Sequence, residues 1–109
     1  MKDAVFHFDT LAIIRGFPEA ERGKIGSALG VVQRGETPTN AKKLKGFKGV
    51  YQISVKGPDN TYRVIYAFVH DDKVDVISAF VKKSKTGIKT PKSEIDKIKE
   101  RASKLRKHQ

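Results

Sequence analysis

The chain has 109 residues and a formal net charge of +11, with 23 Lys and Arg against 12 Asp and Glu and a pI near 10.0. That length suits one domain, 1–109, with a modest core, and the charge points to a polyanionic partner, either nucleic acid or an anionic surface. Cysteine is absent, which excludes a disulfide framework and any Cys-based zinc site.

Residues 4–8 alternate weakly and predict a short first strand. Asp9 is placed to cap a brief helix through Leu11, Ile13 and Ile14 that ends at Gly16. A second helix opens at Pro18, with Glu19 and Glu21 in its first turn and an apolar stripe of Ile25, Ala28, Leu29 and Val32. Gly23, Gly26 and Gly30 share another face of it. They either admit a close approach of the first helix or merely weaken this one, at about 1 kcal/mol each against alanine. Residues 36–48 read as a polar connector carrying Lys42, Lys43, Lys45 and Lys48.

Three strand-like runs follow, 50–56, 61–69 and 74–81, separated by Gly57-Pro58-Asp59-Asn60 and His70-Asp71-Asp72-Lys73. Loops this short favour an antiparallel meander of two hairpins. The last helix is expected to start with Thr90 as cap and Pro91 at its first position, and Ile95, Ile98, Ala102 and Leu105 form its apolar stripe. The order β-α-α-β-β-β-α predicts an α+β fold with helices packed on one sheet face.

The charge is concentrated at the end. From Lys82 to Lys107 eleven basic residues face only Glu94, Asp96 and Glu100, so this segment holds +8 of the +11. Strand alternation puts Val50, Gln52, Ser54 and Lys56 on one face and turns Tyr51, Ile53 and Val55 to the core. Pairing across the Gly57–Asn60 loop lets Arg63 join Ser54 or Lys56 on the open face, and Lys82 and Lys83 leave the third run at one end of it. Arg63, Lys82, Lys83 and Lys56 therefore predict a cationic groove suited to phosphate.

Competing chemistries have little support. His7, His70 and His108 lack metal-ligand spacing. Gly46-Phe47-Lys48-Gly49 is not a phosphate-binding P-loop. His70-Asp71-Asp72 reads as a solvated hairpin loop, with no nucleophile elbow to make it a triad. Neither metal nor cofactor is expected. The longest apolar run, Val64 to Val69, is too short to span a bilayer. No signal-peptide pattern follows Met1, so a cytoplasmic location is expected.

Three segments carry a family resemblance. Ala41-Lys42-Lys43-Leu44-Lys45-Gly46-Phe47 resembles the K-x-L-x-G element of the RelE/ParE toxin superfamily. Thr61-Tyr62-Arg63-Val64-Ile65-Tyr66 is similar to its tyrosine-arginine strand. Ala79-Phe80-Val81-Lys82-Lys83, with Thr90-Pro91-Lys92-x-Glu94-Ile95 beyond it, resembles the phage-related HigB-like branch. The resemblance implies a RelE-like fold and the toxin half of a type II toxin–antitoxin pair. It implies a metal-free endoribonuclease that cuts mRNA on the ribosome by 2′-hydroxyl attack on the phosphate. By position, Arg63 would clamp the phosphate and Lys82 or Lys83 would stabilise the phosphorane or shuttle a proton. Lys56, Gln52, Ser54, Lys45, Lys48 and Lys85 would contact RNA. The partners implied are mRNA, rRNA and an antitoxin of HigA-like type with a helix-turn-helix domain. The pattern departs from RelE-type enzymes at Gln52 and Ser54, where those carry lysines, and His108 is no clear counterpart of the HigB-like terminal histidine. The same fold hosts ParE-like gyrase inhibitors, and a non-catalytic basic RNA- or ribosome-binding protein is the third reading.

Overall fold

A computed structural model describes residues 1–83 and 90–107. The elements are β1 (Asp3–Phe6), α1 (Thr10–Arg15), α2 (Glu19–Gln33), β2 (Ala41–Lys43), β3 (Val50–Lys56), β4 (Asn60–Ala67), β5 (Lys73–Lys83) and α3 (Lys92–Lys107). The strands make one 5-stranded sheet in the order β1-β5-β4-β3-β2. β3, β4 and β5 form the expected antiparallel meander, and β1 closes the far edge in parallel with β5. The connector read between 36 and 48 holds a further strand, β2, too short for its alternation to stand out in the sequence.

The α+β class holds, but the helices occupy both faces of the sheet. On one face α1 and α2 bury Ile14, Ile25, Leu29 and Val32 against Ile53, Val64, Tyr66 and Val76. On the other α3 lays Ile98 and Ala102 over Val50, Ile65, Ala67, Ile77 and Phe80. The expectation of helices on a single face is therefore corrected. Its physical reason lies in the central strands: every residue of β4 from Thr61 to Ala67 is buried, so both faces require a cover. Ile98, with no exposed surface, contributes roughly 1.5–3 kcal/mol by leaving water.

Several local expectations change. Asp9 occupies the N-cap of α1 but makes no side-chain cap bond, and its carboxylate instead pairs with Arg101 of α3 at 3.0 Å. Pro18 is the residue before α2 rather than its first member. A Cβ placed on Gly23 or Gly26 would meet nothing within 4 Å, so these glycines mediate no close approach. His70 is not a purely solvated turn residue. Its Nδ1 lies 3.3 Å from one carboxylate oxygen of the fully buried Asp75, and His7 Nε2 lies 2.8 Å from the other. Together they tie β1 and the β4–β5 turn to the strand between them.

A β-bulge in β5 reverses the facing of the residues beyond it. Ile65 pairs with Ser78 and Tyr66 with Val76, leaving Ile77 as the extra residue. Before the bulge Val74 and Val76 face α1 and α2. After it Ala79 takes that face, and Phe80 turns under α3 beside Ile77. The Ile77 carbonyl accepts a 2.9 Å hydrogen bond from Arg101 Nη1.

Candidate functional site

The apolar residues beneath α3 end partway along the sheet. Beyond them the same face carries polar side chains, in rows fixed by the register. Lys56, Thr61 and Lys82 lie side by side on β3, β4 and β5, and Ser54 stands opposite Arg63 in the next row. Gln52 comes next along β3, opposite Lys42 of β2. With Thr39, Asn40 and Lys83 these residues line an open groove of ≈ 530 Å³, and none of the lining residues is acidic.

Arg63 and Lys82 form its floor, each only 7 % exposed as a residue. Burial lowers the Arg63 pKa, although a guanidinium remains charged at any ordinary pH. Lys82 is also lowered, first by loss of water around it and then by repulsion from Arg63. Its stem is covered while its ammonium end keeps contact with the groove. Gln52 is held in place, accepting from the Thr90 hydroxyl at 3.2 Å and donating to Ser54 Oγ at 3.4 Å. Thr90 thus serves the groove floor rather than capping α3, whose first amides at Glu94 and Ile95 bond to the Pro91 carbonyl at 3.0 Å each.

Arg63, Lys82, Lys56, Ser54 and Gln52 come together on one face as expected. Lys83 is exposed and one residue out of phase with Lys82, and it reaches the groove only as a lining residue at the end of β5. Lys45 and Lys48 lie outside the groove, beside the C-terminal half of α3. Lys85 and His108 fall outside the described residues. Lys42 and Thr61 line the groove and Thr90 bonds to one of its residues, Gln52; none of the three was singled out from the sequence as a site residue. Thr61 was within reach, since it lies two residues from Arg63 on the same strand face. Lys42 depends on β2, and Thr90 on how α3 docks; neither leaves a local signal.

Cationic rows with hydroxyl and amide neighbours, and no carboxylate among the lining residues, have the chemistry to receive an anion. A phosphodiester laid across it would meet the Arg63 fork and the ammonium groups of Lys56 and Lys82, with Ser54, Thr61 and Gln52 as neutral donors. Among the described residues no group of three or more His, Asp and Glu side chains could hold a metal ion. No helix among them is long and apolar enough to cross a membrane.

This architecture is that of the RelE toxins. The chain superposes on the isolated E. coli RelE toxin with a TM-score of 0.59 and 24 % identity, covering 92 % of this chain and 98 % of that one. A double arginine-to-alanine mutant of E. coli RelE in the free state gives a TM-score of 0.60 at 22 % identity, covering 94 % and 96 %. The sequence matches the phage-derived Gp49-like protein family (DUF891) over residues 12–103, and the chain belongs to that family. No curated protein matches it.

Proposed function

We propose that this protein is the toxin of a type II toxin–antitoxin pair and an endoribonuclease that cleaves mRNA on the ribosome at the β3–β4–β5 groove. The observation that carries this reading is the pairing of Arg63 and Lys82, two nearly buried cations on the floor of a groove whose lining holds no carboxylate. The RelE fold and the family match support it.

The chemistry comes from charge. The ribose 2′-hydroxyl loses its proton as its oxygen bonds to phosphorus, the P–O5′ bond breaks, and O5′ takes up a proton. The products are a 2′,3′-cyclic phosphate and a 5′-hydroxyl. The transition state places extra negative charge on the phosphoryl oxygens, where the Arg63 fork and Lys82 lie preformed. Lys82, with its lowered pKa, exchanges a proton more readily than an ordinary lysine. Lys56 and Lys42 hold the flanking phosphates. Lys83 extends the charge at the rim, and Gln52 and Ser54 donate to the strand. An antitoxin of HigA-like type would neutralise the protein by laying an acidic segment over the groove.

Induced expression followed by 5′-end mapping of cellular RNA tests the reading. Wild type is expected to generate new 5′ ends inside coding sequences, and Arg63→Ala to reduce them about 10²–10³-fold, the usual cost of removing a preorganised transition-state donor. Purified protein treated with EDTA and then freed of the chelator should still cleave ribosome-bound mRNA. Unchanged cleavage by an Arg63→Ala, Lys82→Ala double variant would remove the assigned site. The neutral Gln52 and Ser54 favour one alternative, a ParE-like gyrase inhibitor, which would instead give DNA-damage signalling with intact RNA.

A further inference from the structure

The groove gathers more positive charge in one place than a single phosphodiester can match. Three of its cations stand at the corners of a triangle fixed by the strand register. Lys56 and Lys82 flank Thr61 in one row, and Arg63 lies two residues further along β4. With strands about 4.8 Å apart and two residues rising about 6.7 Å, the Arg63 Cα lies about 8 Å from that of each lysine, and the lysines lie about 10 Å apart. Two corners are anchored, because Arg63 and Lys82 are almost wholly buried, and the exposed Lys56 closes the third from the surface. Thr61 and Ser54 line the space between, and none of the lining residues is acidic.

Such a triangle discriminates between anions by charge density. In a nucleic-acid strand a whole ribose separates one phosphodiester from the next, and each carries a single charge. The triangle then sets three cations against one anion at a time. In a polyphosphate the neighbouring phosphates share a bridging oxygen, and the terminal group adds nearly a second charge of its own. A di- or triphosphate tail therefore brings the triangle close to neutrality, with charge-assisted bonds to all three corners at once. The rest of the groove has a different character. Gln52, Thr39 and Asn40 offer neutral amide and hydroxyl groups beside Lys42, and Gln52 is held by Thr90 and Ser54 at 3.2 and 3.4 Å. The groove volume of ≈ 530 Å³ falls within the range of small-ligand sites, about 300–1,000 Å³.

We propose that the groove is also a polyphosphate site, which takes the di- or triphosphate tail of a nucleotide, or the same tail as an inorganic chain, across Arg63, Lys56 and Lys82. The binding rests on the groove itself. Its consequence rests on the reading above: a bound tail occupies the place of the scissile phosphate and inhibits cleavage competitively. The protein is then held idle by abundant polyphosphate anions and released as their pool falls.

Calorimetric titration of the full-length protein tests this in magnesium-free buffer at physiological ionic strength. The ligands are ATP, AMP, inorganic tripolyphosphate and a DNA trinucleotide, which lacks the 2′-hydroxyl needed for cleavage. ATP and tripolyphosphate are expected to bind about tenfold or more tightly than AMP or the trinucleotide. Lys56→Gln should weaken both about tenfold, the loss of one charge-assisted bond, and its exposed position leaves the core untouched. Arg15→Gln/Arg22→Gln/Lys24→Gln removes three charges from exposed positions outside the groove and should keep most of the affinity. Tighter binding of ATP than of tripolyphosphate, with Gln52→Ala removing the difference, assigns the ligand to nucleotides. Equal or tighter binding of tripolyphosphate assigns it to the inorganic chain. The proposal is overturned if AMP or the trinucleotide matches ATP, if Lys56→Gln binds as wild type does, or if the remote variant loses as much as Lys56→Gln. A protein that binds in the expected order yet cuts no RNA keeps the site and loses only the competition. One that cuts RNA without this order keeps the nuclease reading and loses the polyphosphate site.

Discussion

Arg63 repels Lys82. The two cations share one face of adjacent strands, with Arg63 opposite Phe80 and Lys82 opposite Thr61, and this repulsion adds to burial in lowering the Lys82 pKa. The sheet thus holds together two charges that solution would separate, which is the arrangement expected of a site completed by a bound anion.

The first prediction concerns titration of Lys82. NMR of its ¹³Cε should show a pKa below the ordinary lysine value of 10.5, and Arg63→Gln should move it only part of the way back, because burial is the larger cause. Between the lowered value and 10.5 the unfolded chain binds more protons than the folded one, so the Lys82 contribution to stability rises with pH there. Lys82→Met is accordingly more stable than wild type below that window, and the advantage shrinks as pH climbs through it. A Lys82 resonance titrating at or above 10.5 would contradict the groove electrostatics.

Tyr66 has the opposite sign. Burial, with Tyr51 adding to it, pushes the Tyr66 phenol from 10.0 up to about 12. Its contribution is fully present below pH 10 and is lost between 10 and about 12, because the unfolded phenol ionises first. Denaturant titrations of wild type and Tyr66→Phe across that interval should diverge, with wild type losing more stability.

Arg101 joins three parts of the molecule. It donates to the bulge carbonyl of Ile77 at 2.9 Å, pairs with Asp9 at 3.0 Å and lies 4.9 Å from the ring of Phe8. Phe8 has φ 57°, a costly conformation for a bulky residue. Arg101→Met should lower stability by about 2–3 kcal/mol, the upper range for a hydrogen bond from a charged donor. Thermal melts report the loss, and hydrogen exchange should show α3 opening before the sheet.

Two kinds of glycine are expected to respond differently to alanine. At Gly57 a Cβ would lie 3.1 Å from the Tyr62 ring, 2.9 Å from a Glu21 carboxylate oxygen and 3.4 Å from the Asn60 carbonyl. Glu21 can move, but Tyr62 is packed against Phe17, the rings tilted by 58° with centres 4.9 Å apart. Gly57→Ala should therefore cost about 1–3 kcal/mol. Gly23→Ala and Gly26→Ala, in open space on α2, should stabilise by about 0.4–1 kcal/mol each. Equal effects at the three positions would mean that the hairpin does not pack on α2 as described.

The sequence carries much of this protein openly. Strand alternation along 50–56 and around Arg63 is strict, and pairing across a short hairpin leaves few registers, so the face shared by Ser54, Lys56 and Arg63 could be read directly. The stripes of α2 and α3 were legible for the same reason: each buries one side at helical spacing. Other features depended on distant residues. β2 is recognisable only through Lys42 beside Gln52, and the side to which α3 docks is set by which sheet face still lacks a cover.

Composition and periodicity by themselves determined an α+β chain with a cationic sheet face built around Arg63. They could not determine which of two adjacent lysines joins it. Uninterrupted alternation from Val76 would put Lys82 with the α1–α2 face and Lys83 beside Arg63. The extra residue Ile77 reverses that phase and delivers Lys82 to the groove. A bulge adds one residue to one strand only, so it is defined by what the neighbouring strand and Arg101 do with the unpaired carbonyl. That pairing exists only in the tertiary structure.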